Sequence, residues 1–177
     1  MINKNVLRLT RTSLIAAVAL ALAYLEMIIP DLPMLLPGMK LGLSNIAVMF
    51  ALVILDLPSA LFICLLKAVF ALLTRGLVSF LMSLCGGILS VIAMYLIMRL
   101  KSKEYTFGYL GIGIIGAFFH NFGQILVGVL LLDKTVFAYL PILSLVSIVT
   151  GSITGIVLSL ILPALIKTKL FYVDNGA

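Results

Sequence analysis

Long apolar runs follow one another from Thr12 to Lys167 with only short polar breaks between them. That succession narrows the choice of fold more than any other feature. A run of about 20 apolar residues matches the roughly 30 Å hydrocarbon core of a bilayer, and about six such runs stand at 13–29, 41–55, 59–73, 79–98, 109–132 and 137–165. Backbone amides inside lipid must be satisfied within the chain, which for separate apolar runs means helices. The expected fold is therefore an all-α integral membrane protein, a bundle of six transmembrane helices. Of the 177 residues, 64 % are hydrophobic and 10 % charged. Little remains for a separate soluble unit, so 1–177 reads as a single transmembrane domain.

The breaks are chemically distinct. Pro30, Pro33, Pro37 and Gly38 make the first connection a loop, and Asp56-Leu57-Pro58 reads as a tight turn with Pro58 suited to a helix start. Arg75-Gly76, the stretch 99–104 and Asp133-Lys134 mark the other turns. Placing the N-terminus in the cytoplasm puts Lys4, Arg8, Arg11, Arg99, Lys101, Lys103, Lys167 and Lys169 inside, against Lys40, Arg75 and Lys134 outside. This positive-inside bias predicts both termini in the cytoplasm. The second and third runs are short, at about 15 residues or roughly 22 Å each. The last is overlong and is expected to be tilted, or broken near Thr150 and Gly151.

Several function classes are disfavoured. The net charge of +6 is spread over short loops rather than along one face with aromatic partners, which argues against nucleic acid. Cys64 and Cys85 lie inside apolar runs without CxxC or His neighbours, so they read as small buried hydrophobes and no metal or cofactor is expected. Lys4, Arg8 and Arg11 ahead of an Ala-rich apolar run resemble a leader, but the run continues to Ile29 and further spans follow, so it reads as a retained first helix.

Polar side chains at membrane depth are costly and mark candidate sites. The candidates for lining a ligand pocket are Lys40, Asn45, Lys67, Arg75, His120, Asn121 and Gln124. Most fall in the half of the bilayer that the charge bias makes outer, roofed by the Pro-rich loop 30–40. Each has a structural alternative. Lys40 and Arg75 can snorkel to headgroups, Glu26 can form a buried ion pair with one of them, and the amides can bond helix to helix. Lys67 is too deep to snorkel easily. In the first run, Ala17 with Ala21 and Ala19 with Ala23 form small-residue faces suited to close packing, within the chain or against another membrane subunit.

Three segments carry a family resemblance: 37–45 (PGMKLGLSN), 79–87 (SFLMSLCGG) and 116–124 (GAFFHNFGQ). Together they resemble the Gx transporter family, also called heptaprenyl diphosphate synthase component I, along nearly the whole chain. That family is related to the substrate-binding S components of energy-coupling-factor (ECF) vitamin transporters. The resemblance implies a six-helix protein of a bacterial plasma membrane that binds a small molecule under the loop joining helices one and two. It also implies that the alanine face of the first helix meets a membrane coupling subunit shared with two ATPases.

Two functions follow as expectations. The first is a substrate-binding subunit of an ECF-type importer for a small polar or anionic metabolite. The alternative is a non-catalytic membrane accessory of prenyl diphosphate or quinone biosynthesis, with a basic site on the inner face near 99–103. Catalysis by this chain is not expected. Its six acids, Glu26, Asp31, Asp56, Glu104, Asp133 and Asp174, are isolated and form no DDxxD diphosphate clamp. No Walker A sequence is present, so any ATP-driven step falls to partners.

Overall fold

The computed structural model describes residues 4–28, 42–100 and 108–167. Among these the fold is all helical: α1 (Lys4–Ile28), α2 (Asn45–Ile54), α3 (Leu57–Arg75), α4 (Leu77–Arg99), α5 (Tyr109–Leu131) and α6 (Leu140–Lys167), with a 3₁₀ turn at Lys134–Tyr139 before α6. The loop 30–40, and Lys40 with it, lies outside the described residues.

Burial is inverted relative to a protein in water. Leu73, Leu130 and Leu160 are 79 %, 83 % and 71 % exposed, while Lys67, His120, Asn121 and Gln124 are buried. Outward apolar and inward polar side chains suit a solvent of lipid. Five helices are long and apolar enough to cross a membrane, the exception being α2. The chain is a multi-pass membrane protein.

Local chemistry sets the helix ends. Asp56 caps α3 by accepting the Ser59 N–H at 2.8 Å, with Pro58 in the first turn. Gly76, at φ +87°, both ends α3 and starts α4, so one residue joins the two helices. Asp133 accepts the Thr135 N–H at 2.9 Å and opens the 3₁₀ turn.

Three spans differ from the sequence expectation. The third is not short: α3 has 19 residues, about 28 Å, because Leu57-Pro58 and Thr74-Arg75 join the helix at either end. The second is shorter than expected, ten residues from Asn45, because Gly42 at φ +85° bends the chain and residues 42–44 serve as ligands for another helix. For the last, the helix begins at Leu140 rather than Phe137, and of its two alternatives the break at Thr150 and Gly151 does not occur, since α6 is continuous over Leu140–Lys167. There Gly151 and Gly155 let the α5 backbone approach: a Cβ on Gly155 would fall 2.5 Å from Leu110 Cα.

Helix α5 packs between α4 and α6, α3 lies on α4, and α1 lies on α3. Helix α2 touches all five others. A close-packed cluster around Ile15, Ala19, Val48, Met49, Ile63 and Met94 fills the bundle towards the α4 C-terminus. A smaller one, around Met82, Ile125 and Leu143, joins α4, α5 and α6 towards the opposite end.

Candidate functional site

A polar cavity lies beside the smaller cluster, where the C-terminal parts of α1 and α3 meet the start of α2, the first turns of α4 and the middle of α5. Its walls include Glu26, Ser44, Lys67, Arg75, His120 and Gln124, and its volume is about 50 Å³. That is room for a few waters or a small functional group. Ser79 and Ser83 of α4 complete the wall opposite α1.

The wall is built by one unusual use of a carboxylate. Glu26, 6 % exposed, accepts hydrogen bonds from the backbone N–H groups of Gly42 and Leu43, the latter at 2.9 Å, and from the Ser44 hydroxyl at 3.2 Å. Consecutive N–H groups around a left-handed glycine form an anion-binding nest, and here the anion comes from the end of α1. Gly42 has a second reason to be glycine: a Cβ would stand 2.8 Å from Asn45 Nδ2. Among the described residues Glu26 thus ties α1 to the start of α2 through backbone amides and the Ser44 hydroxyl; Lys40, one of the two cations considered as its partner, lies outside them.

Lys67 reaches the cavity from the middle of α3 and is 5 % exposed. Its Nζ donates to Asn45 Oδ1 at 2.7 Å. Asn45 itself stands behind Lys67, beside a second cavity of about 10 Å³ near Ser90, Thr150 and Thr154. From α5, the Gln124 amide nitrogen meets His120 Nε2 at 2.7 Å. With the amide nitrogen in this orientation Nε2 accepts, and the other ring nitrogen, Nδ1, is buried beside the Gly86 backbone without a hydrogen-bond partner among the described residues. His120 is neutral in this arrangement. Its position depends on glycine: a Cβ on Gly86 would fall 2.6 Å from His120 O, and one on Gly123 would fall 2.6 Å from Gly86 Cα.

Of the residues expected to line a pocket, Lys67, Arg75, His120 and Gln124 come together here. Asn45 touches the site through Lys67. Asn121 does not join them, because its Nδ2 donates to Ser147 Oγ of α6 at 2.8 Å, as an interhelical bond. By the i, i+3 rule Asn121 shares a face with Gln124, but it stands about 100° around α5 from His120 and about 60° from Gln124, and its amide goes to α6 while the other two face the cavity. Glu26, Ser79 and Ser83 also belong to the wall, although none of them is among the candidates named for a ligand pocket from the sequence. The alanine faces part in the same way. Ala19 is fully buried and Ala23 lines the cavity, whereas Ala17 and Ala21 are exposed on α1.

At the opposite end, a groove of about 500 Å³ runs between the α2–α3 turn and α4, past Leu55, Pro58, Tyr95, Met98 and Arg99. Arg99 Nε donates to Tyr95 Oη at 3.0 Å, with its guanidinium 5.2 Å from the ring centroid. Arg8 pairs with Asp56 at 2.7 Å beside it. Among the described residues no three His, Cys, Asp or Glu side chains are placed to hold a metal.

Fold and site together define an all-α, multi-pass membrane protein with a polar cavity inside its helix bundle. The sequence model of the heptaprenyl diphosphate synthase component I family matches residues 15–161, and the chain belongs to that family. No curated protein matches it, and no solved structure does.

Proposed function

We propose that this chain is a non-catalytic membrane subunit that binds a small molecule in its polar cavity and serves a prenyl diphosphate-forming system together with partner chains. The convergence of buried polar side chains from five helices on one cavity carries the binding role. Lipid-facing helices gain nothing from Lys67, Glu26, His120 and Gln124 at depth, and such residues are retained where they meet one another or a ligand. The family's description supports the prenyl diphosphate context. The described acids argue against a metal–diphosphate centre. Glu26 is held by the α2 nest, Asp56 caps α3 and pairs with Arg8, and Asp133 caps the 3₁₀ turn. The groove beside Arg99 offers a partner a largely apolar surface, with Arg99 and Asp56 both in its wall, at the end that the positive-inside rule places in the cytoplasm.

A second reading, the substrate-binding subunit of an ECF-type importer, is favoured by where the cavity sits. It lies at the end opposite the basic termini, which the same rule places outside a bacterial plasma membrane. In that reading the exposed Ala17 and Ala21 face meets the coupling subunit that works with two ATPases.

Purification of the tagged chain in mild detergent, followed by native mass spectrometry, separates the two. A co-purifying soluble prenyl synthase is the expected result. Two ATPases with a membrane coupling subunit overturn that context in favour of the importer. A chain carrying neither partner nor small molecule overturns the binding role itself.

A further inference from the structure

We infer that the small cavity behind Lys67 is a binding site for one buried water molecule, gripped by Asn45 of α2, Ser90 of α4, and Thr150 and Thr154 of α6. The inference stands apart from the larger cavity and from whatever enters it.

The space exists because α5 brings little side chain to it, lining it with Gly113, Gly116 and Ala117. Ser90 follows Ser83, which lines the larger cavity, by seven residues, or roughly 10 Å along α4. The two hollows therefore lie at different depths in the bundle. A volume of about 10 Å³ is near the least that houses a water and is too small for a solute.

The wall holds one polar group without a partner and another with donors to spare. Ser90 is 2 % exposed, and its Oγ has no hydrogen-bond partner among the described residues. A serine inside a helix can donate back to the carbonyl four residues earlier, as Ser144 and Ser147 do. Ser90 does not. At Asn45, the bond from Lys67 Nζ, a group that only donates, fixes Oδ1 as the atom facing Lys67. The two Nδ2 donors are left for another acceptor, beside Gly42, which also lines the cavity. On α6 the threonine protons are already committed, from Thr150 Oγ1 to Val146 O at 3.0 Å and from Thr154 Oγ1 to Thr150 O at 2.9 Å. Their oxygens can only accept.

Donors from Asn45 and Ser90 and acceptors from two threonines match a water, which accepts twice and donates twice. A cation would face the Asn45 donors with Lys67 behind them, and an anion would face the threonine lone pairs. The water links α2 to α4 and α6. By holding the Asn45 amide it also keeps Oδ1 turned towards Lys67, so it positions the ammonium that the larger cavity displays.

The test is radiolytic hydroxyl-radical labelling of the full chain in nanodiscs, read by peptide mass spectrometry. Radicals formed from a bound water oxidise the side chains beside it, and methionine reacts readily. Met49 and Met94 line the cavity at 0 % and 2 % exposed, while Met82, 1 % exposed in the apolar cluster of α4, α5 and α6, is the dry control. Met94 is expected to oxidise roughly tenfold faster than Met82, since a water beside it is the radical source. In Ser90→Ala and in Thr154→Val, each of which removes one hydrogen-bonding group with little change of shape, the Met94 rate should fall several-fold. Met49 and Met94 rates as low as that of Met82 mean a dry cavity and overturn the inference. A fast Met94 rate unchanged in both variants places the water elsewhere and overturns it too. If one variant does not fold, the other decides, and the wild-type comparison with Met82 needs neither.

Discussion

Replacing Glu26 tests the element on which the cavity wall depends. In Glu26→Ala the backbone N–H groups of Gly42 and Leu43 and the hydroxyl of Ser44 lose their shared acceptor. Each hydrogen bond to a charged group is worth roughly 1.5–3 kcal/mol when measured singly, and bonds to one carboxylate are not additive. Two orphaned backbone donors in a buried setting bring the expected loss to about 4 kcal/mol. Glu26→Gln keeps one oxygen for the two amides, and its NH₂ can donate to Ser44, so the loss is that of charge assistance, about 1–2 kcal/mol. The chain has no Trp, so unfolding is best followed with a thiol-reactive fluorophore at Cys64, which is 1 % exposed, in a Cys85→Ser background. Titration with SDS from mixed micelles then yields the order wild type, Gln, Ala. An Ala variant as stable as the Gln variant, or as the wild type, refutes the carboxylate as the tie between α1 and α2.

Gly123→Ala places a Cβ 2.6 Å from Gly86 Cα, where only backbone can yield, and should cost about 1–3 kcal/mol, whereas Gly108→Ser, with open space at the N-cap of α5, should be neutral or slightly stabilising by the same unfolding assay. Asn121→Ala should cost about 1 kcal/mol or less, as interhelical bonds in membranes do, and leave any small molecule that co-purifies with the chain in native mass spectrometry unchanged, because its partner is Ser147 outside the cavity. Asp56 lies in the turn between α2 and α3. Burial pulls its carboxyl upward, but the Ser59 hydrogen bonds and the Arg8 charge outweigh burial and hold it below the usual 3.8. Its contribution to stability is therefore complete above that value and is lost as pH falls through the lowered one, so the gap between wild type and Asp56→Asn should close only below pH 3.8 in acid unfolding curves.

The fold was legible because hydropathy in lipid is a one-sided signal: six apolar runs predict six helices, and the turn chemistry of Asp56-Leu57-Pro58 and Gly76 places two joints to within a residue or two. What escaped the sequence were the consequences of contact. The shortening of α2 depends on Gly42, Leu43 and Ser44 meeting Glu26 from 16 to 18 residues away, a partnership with no local periodicity. Gly151 reads as a helix breaker until the neighbouring α5 backbone is seen to occupy the space a side chain would take. In the site, depth in the membrane correctly flagged Lys67, His120 and Gln124. It could not separate Asn121, since facing a cavity and facing α6 differ by one step of 100° along α5. The i, i+3 spacing of Asn121 and Gln124 and the i, i+4 spacing of His120 and Gln124 read alike in the sequence, and only contact with Ser147 separates them.

Helix α2 also fixes a dimension of the molecule. Ten residues at 1.5 Å each give about 15 Å, half the thickness of the hydrocarbon layer. Gly42 and Ser44, at its start, form part of the cavity wall. The reach of the hollow into the bilayer is thus set by the residue count of one helix. Each turn added before Asn45 would advance that wall by about 5.4 Å, and each turn removed would withdraw it. A shortened span surrounded by five neighbours works as an adjustable plug, through which depth can change while the lipid-facing surface of the other helices stays the same.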